Sequence, residues 1–278
     1  MQYGFIIEGG DLPTIVELTE QAEEAGWDGV FIADALAMET KSFPAAPWFD
    51  PWIALTVMAT RTKRVRIGTI ITPVSRRRPW KLAREAVTLD HLSNGRLTLG
   101  VGLGAAEHDG GFYKVGEAMD LKVRAQLLDE GLEIMAGLWS GKPFSFAGEH
   151  YKVDQMTMLP EPVQTPRIPV WVVGVWPKEK SLNRTLRWDG IIPQKFRTMA
   201  RMTPAEVGQM KQYIDERRQQ STPFDILVGG ETPGNKPKDA AQKVRPFENA
   251  GATWWLESRM STLKKVRERI KQGPPRVE

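Results

Sequence analysis

The feature that most constrains this chain is an alternation: short β-branched runs are followed, again and again, by longer segments whose apolar residues recur every three or four positions. Residues 3–7 read as a strand, and Leu12, Ile15, Val16, Thr19, Ala22 and Ala25 then mark one buried helix face, closed by Gly26. Strands are predicted over 29–33 and 65–71, separated by a helix over 51–60 that Asp50 caps and Pro51 opens. A helix from Pro79 ends in Ser93-Asn94-Gly95, and residues 97–101 form the fourth strand. The longest helix, 121–139, leads into a proline-rich excursion over 141–169 with a hairpin predicted around Phe146-Ala147-Gly148-Glu149. Strands over 170–173, 190–192, 224–228 and 253–256 follow, interleaved with helices over 178–187, 204–219, 237–250 and 263–271.

Eight strand and helix pairs with no linker between them imply right-handed parallel units, and eight such units close a (β/α)8 barrel. The expectation is an α/β chain in which residues 1–278 form one TIM-barrel domain, with residues 141–169 inserted between the fourth helix and the fifth strand. An open doubly wound sheet is the competing fold, but it usually carries a glycine-rich turn after its first strand. Here that turn is Glu8-Gly9-Gly10-Asp11-Leu12-Pro13.

A net charge of +4 spread over 72 charged side chains (38 basic, 34 acidic) points to neither nucleic acid nor a membrane. The absence of cysteine removes disulfides, thiolate nucleophiles and sulfur-bound metals, and three scattered histidines do not suggest a metal site. No targeting segment is read at the start, and a cytoplasmic protein is expected. In a closed barrel, chemistry sits at the carboxyl ends of the strands, so the candidate positions are Glu8, Asp34, Thr72, residues 102–108, Gly174, Val175, Trp176, Gln194, Lys195, residues 229–231 and Glu257.

Several stretches carry a resemblance. They are AEEAGWDGVFIAD (22–34), the long run from Asp50 through SNGRLTLGVGLG to Gly104, the run from LLDEGLEIMAGLWSG through PRIPVWVVG to Gly174, then RWDGIIP (187–193) and AGATWWLES (250–258). Together they resemble the luciferase-like monooxygenase family, flavin- and deazaflavin-dependent barrel enzymes. The resemblance implies an oxidoreductase that moves hydride or activated oxygen between a cofactor and a small organic substrate. The cofactor is reduced flavin mononucleotide (FMN) or the 5-deazaflavin coenzyme F420, with a slight preference for the latter, and the expected assembly is a homodimer. It further implies a non-proline cis peptide at Ile70–Ile71, in a bulge at the end of the third strand. Ile70, Ile71, Thr72, Gly102 and Gly104 are then expected to border the cofactor, with Gly174, Val175, Trp176 and Gln194 near its phosphate and the helix start at Lys178 offering free N–H groups.

The chain also departs from the family. Many members have a histidine after the aspartate at the second strand end, where this chain has Ala35. Deazaflavin-dependent sugar-phosphate dehydrogenases have a glutamate after the fourth strand's last glycine, where this chain has Ala105, which disfavours that activity. Proton transfer is assigned instead to Asp34, Glu8, Glu107 and His108. Glu8 and Asp34 are expected to converge in the mouth and raise each other's pKa, with Glu257 facing the same space. Arg76, Arg77, Arg78, Lys178, Lys180, Lys195 and Arg197 form a basic arc suited to a polyanionic cofactor tail. His91 is read as structural, and His150 as supporting the site from behind or lying at the surface rather than catalytic. Two alternatives remain open: a flavin-binding barrel without turnover, and a non-redox barrel enzyme acting on a phosphorylated metabolite.

Overall fold

The computed structural model describes residues 1–37, 47–104, 112–198, 200–258 and 261–277. Its elements follow the alternation: β1 (Gln2–Ile7), α1 (Leu12–Glu24), β2 (Gly29–Ile32), α2 (Pro51–Arg61), β3 (Arg66–Pro73), α3 (Pro79–Leu92), β4 (Leu97–Gly102) and α4 (Leu121–Trp139). A hairpin of β5 (Phe144–Ala147) and β6 (Lys152–Met156) then intervenes. It is followed by β7 (Val170–Trp176), α5 (Glu179–Thr185), β8 (Gly190–Lys195), α6 (Pro204–Arg217), β9 (Asp225–Gly230), α7 (Pro237–Asn249), β10 (Trp254–Ser258) and α8 (Leu263–Lys271). Eight strands close into a barrel in the order β1, β10, β9, β8, β7, β4, β3, β2. The fold is therefore a TIM barrel, and the sequence places Asp11, Asp50, Asp120 and Thr203 where side-chain oxygens cap helix N-termini.

Period-two alternation separates two cores. Tyr3, Phe5 and Ile7 of β1 point outward into the layer between barrel and helices, whereas Phe31, Trp171, Leu227, Trp254 and Leu256 fill the barrel itself. The three inner rings touch one another, Phe31 to Trp171 at 5.3 Å, Phe31 to Trp254 at 5.8 Å and Trp171 to Trp254 at 5.2 Å between centroids. Space for them comes from strand glycines: a Cβ on Gly4 or Gly29 would lie 2.8 or 2.9 Å from Phe31, and one on Gly190 2.5 Å from Trp171. The rings form a solid floor. Beneath it, the Asp225 carboxylate accepts hydrogen bonds from the Trp171 indole at 3.0 Å and the Thr253 hydroxyl at 2.8 Å. Burial pushes Asp225 above the usual aspartate range, and these hydrogen bonds offset it only in part.

The excursion is tied down by two carboxylates. Asp90 of α3 accepts from the Val163 and Gln164 amides and the Gln164 side chain, and Glu130 of α4 accepts from the amides of Glu149, His150 and Tyr151. His91 bonds the Glu161 carbonyl, the structural role expected of it, and His150 bonds the Gln126 side chain.

Strands β7 and β8 run three residues past their predicted ends. Gly174 and Pro193 look like strand breakers, yet they pair with each other, and the ladder continues to Trp176 opposite Lys195. Proline is tolerated because β8 is paired on one side only at this level: its ladder with β9 holds Gly190 opposite Asp225 and Ile191 opposite Ile226. The two strands part above that point, at the carboxyl end of the barrel.

Candidate active site

The parting of β8 and β9 opens a cavity of about 360 Å³ at the barrel mouth, within the roughly 300–1,000 Å³ of small-molecule sites. Its floor is apolar, formed by Ile6, Ile70, Ile192, Leu227 and Leu256. Its polar rim comes from Gln194, Lys195, Thr198, Arg201 and Ser258. The Ile70–Ile71 peptide is cis, as the resemblance implies, and the β3–β4 register shifts between Thr69 and Thr72 to form the bulge. Ile70 lies on the cavity floor.

Of the residues nominated from the sequence, Ile70, Gln194, Lys195, Gly229 and Gly230 line this cavity. Glu8 stands beside it, its carboxylate accepting a hydrogen bond from Ser258 at 2.7 Å. Glu107 and His108 lie outside the described residues. Gly102, Gly104 and Gly174 serve packing. A Cβ on Gly102 would lie 2.9 Å from both Ile71 and Val173, one on Gly104 2.9 Å from Phe112 and Pro73, and one on Gly174 2.4 Å from Ile191. Each of the three thus lets a neighbouring side chain pack against its backbone. Gly229 behaves differently: it lines the cavity and a Cβ there would meet only the Leu256 carbonyl, at 3.3 Å. Thr72 is buried with its hydroxyl bonded to Thr69. Val175 is held by its amide to the Ser181 hydroxyl, at the start of the short helix α5.

Asp34 is turned away from Glu8. Its carboxylate, 1% exposed, accepts from Arg77 at 2.8 and 2.9 Å and from Arg76 at 3.1 Å. The expected convergence of Glu8 and Asp34 is thus corrected: two guanidiniums from the turn after β3 hold Asp34. Burial alone lowers the basicity of Arg77, but its hydrogen bond and ion pair with Asp34 outweigh this and hold it above the ordinary arginine value. The basic arc is correspondingly reduced. Lys195 pairs with Glu206 at 2.8 Å, a contact that keeps Glu206 below the usual carboxylate range, and Arg201 faces Glu231 at 3.9 Å. Lys178 lies 3.9 Å from the centre of the Phe196 ring.

Glu257 does not face the mouth either. It is fully buried on the outer side of β10, accepting from the Thr232 amide and hydroxyl, the Trp255 indole and the Arg269 guanidinium of α8. Sequence reading passed over Ser258, whose register opposite Ile6 puts it inside the barrel. Its signal was available in the phase of β10: if Trp254 and Leu256 face inward, so does Ser258.

A parallel eight-stranded barrel with a small-molecule cavity at its carboxyl end belongs to the class of barrel proteins whose sites are assembled from strand-end loops. Within that class the chain belongs to the luciferase-like monooxygenase family, whose model matches residues 4–269. It is 28% identical over 216 residues to an F420-dependent glucose-6-phosphate dehydrogenase of Nakamurella multipartita, covering 77% of this chain and 61% of that one. It is 32% identical over 160 residues to the oxygenase component of a flavin-dependent trigonelline monooxygenase of Acinetobacter baylyi, covering 58% and 42%. The chain thus spans less than two thirds of the length of either curated relative. Among solved structures, it matches an F420-dependent secondary alcohol dehydrogenase in complex with an F420-acetone adduct, with a TM-score of 0.78 at 17% identity, over 99% of this chain and 98% of that one.

Proposed function

We propose that this chain is an oxidoreductase acting on a small organic substrate with bound deazaflavin coenzyme F420, FMN being the second cofactor to test. The observation that carries the reading is the mouth cavity, with its apolar floor, the Ile70–Ile71 bulge on one side and Gly229 open on another. A flat, largely apolar ring fits such a lining. Ile70, Ile71, Gly229 and Gln194 are the residues that would hold it, with Val175 and Trp176 toward its tail. When bound, the deazaflavin supplies direct hydride transfer, and flavin in its place supplies oxygen activation. The chain's part is to exclude water, orient the substrate and move a proton, for which Glu8, Glu107 and His108 are the candidates. The relatives with F420 in their names support the deazaflavin choice. A sugar phosphate is a poor fit as substrate, since Lys195 and Arg201 at the rim are matched by Glu206 and Glu231.

The same reading takes the working form to be a cytoplasmic homodimer. Exposed Ile53 on α2 and Trp80 on α3 support the dimer, and a molar mass from light scattering tests it. Among the described residues, no helix is long and apolar enough to cross a membrane.

The deciding experiment is a fluorescence titration of the purified chain with F420 and, separately, with FMN. Saturable quenching by F420 supports hydride chemistry, and quenching by FMN alone moves the reading to oxygen transfer. Saturation by neither overturns it. A bound cofactor whose spectrum no substrate changes would favour a binding protein without turnover, the outcome to which Ala35 and Ala105 are relevant.

A further inference from the structure

Period-two geometry places Ile6 and Glu8 on the same inward phase of β1 and its continuation, and Leu256 and Ser258 on the inward phase of β10. Ile6 and Ser258 are register partners, both line the cavity, and the Ser258 hydroxyl donates to Glu8 Oε1 at 2.7 Å. The two polar groups are therefore arranged in series. A hydroxyl sits at the cavity wall, and behind it an exposed carboxylate is open to water.

Nothing else among the described residues of the wall combines these properties. Lys195 and Arg201 are matched by Glu206 and Glu231, Asp34 is held by two arginines, and Glu257 lies on the outer side of its strand. Resting on the deazaflavin reading above, we propose that Ser258 and Glu8 form the proton-transfer pair of this site, and that the group they serve is the single hydroxyl or carbonyl oxygen of an uncharged, mostly apolar substrate.

In the oxidative direction the substrate O–H donates to Ser258 Oγ while the Ser258 proton passes to Glu8 Oε1. The carbinol C–H bond breaks as hydride leaves for the oxidised deazaflavin, and the C–O bond becomes a carbonyl. One hydride and one proton leave the alcohol, the ketone or aldehyde remains, and Glu8 releases the proton to solvent. Reduction runs the same path in reverse, with the reduced deazaflavin as the hydride source. Ser258 touches the reacting oxygen, and Glu8 acts through Ser258 as the positioning and proton-accepting group. An apolar floor beneath a single polar pair favours a substrate with one oxygen over a polyol or a phosphate ester, whose further polar groups would be buried without partners.

The test uses the chain loaded with F420 and two measurements: the dissociation constant of cyclohexanol from tryptophan fluorescence, and the single-turnover rate of cofactor reduction. Ser258→Ala is expected to weaken cyclohexanol binding about tenfold, the loss of one hydrogen bond. Ser258→Thr, which keeps the hydroxyl, is expected to restore it to within about twofold. Glu8→Gln is expected to leave binding within about threefold and slow reduction by about 10²-fold or more, in line with loss of a general base. Unchanged binding and rate in Ser258→Ala, or an unchanged rate in Glu8→Gln, overturns the pair. Failure of the wild-type chain to bind cyclohexanol overturns the substrate class. If F420 itself does not bind, the loss shows before any alcohol is added, and the cofactor reading falls together with this one.

Discussion

Glu8 and Glu257 end neighbouring strands, β1 and β10, that pair Phe5 with Glu257 and Ile6 with Ser258. One residue of phase separates their fates. Glu257 shares the outward phase of Phe5, is fully buried and accepts hydrogen bonds from Thr232, Trp255 and Arg269. Glu8 shares the inward phase of Ile6, is exposed and accepts a hydrogen bond from the Ser258 hydroxyl. At a barrel rim, the same residue type stabilises the helical shell in one phase and serves the cavity in the next.

The comparison can be broken most directly at Glu257. Glu257→Ala removes the carboxylate that neutralises the 1% exposed Arg269 guanidinium, and is expected to cost about 3–5 kcal/mol in urea unfolding. Glu8→Gln, made in parallel, is expected to change stability by less than about 0.5 kcal/mol. Equal losses in the two variants would dissolve the distinction.

Asp34 sharpens it, because it stands at a strand end like Glu8 yet is bonded like Glu257. Asp34→Asn weakens charge-assisted bonds to two arginines, for an expected loss of about 1.5–3 kcal/mol in the same assay. If Asp34→Asn left stability untouched and abolished cofactor-dependent turnover, Asp34 would move to the catalytic side of the comparison.

A pH-dependent effect is expected at Asp225, at the opposite end of the barrel. Burial holds its folded pKa above its unfolded one, so the folded chain binds more protons in the window between the two. The contribution of this group to stability is therefore fully present below the unfolded pKa and is lost as pH rises through the folded pKa. Asp225→Asn removes the titration. The stability of the wild type relative to this variant is expected to fall as pH is raised from about 4 to about 7, and a difference that rises with pH instead would contradict the burial argument.

Much of the barrel was legible beforehand because its signals are local. Leu12, Ile15, Val16, Thr19 and Ala22 mark the face of α1 through spacing alone, and Asp50 followed by Pro51 marks the start of α2. The ends of β7 and β8 were not legible, since Gly174 and Pro193 punctuate a chain read by itself and become strand residues only when paired with each other. The site was legible as a set of strand ends but not as a set of directions. Ile70, Gln194, Lys195, Gly229 and Gly230 fell into the cavity, whereas Asp34 and Glu257 turned to protein partners.

By itself the sequence determined the order of elements, the closure expected of eight parallel units and the family, because periodicity, capping and motif are properties of neighbours along the chain. The tertiary structure alone decided which acids are neutralised, where β8 leaves β9 to open the cavity, and that Ser258 backs onto Glu8. Those outcomes join residues 43 positions apart at Asp34 and Arg77, and 250 apart at Glu8 and Ser258. Hydrogen bonds and ion pairs act over a few ångströms, so only the folded chain brings such partners within their range.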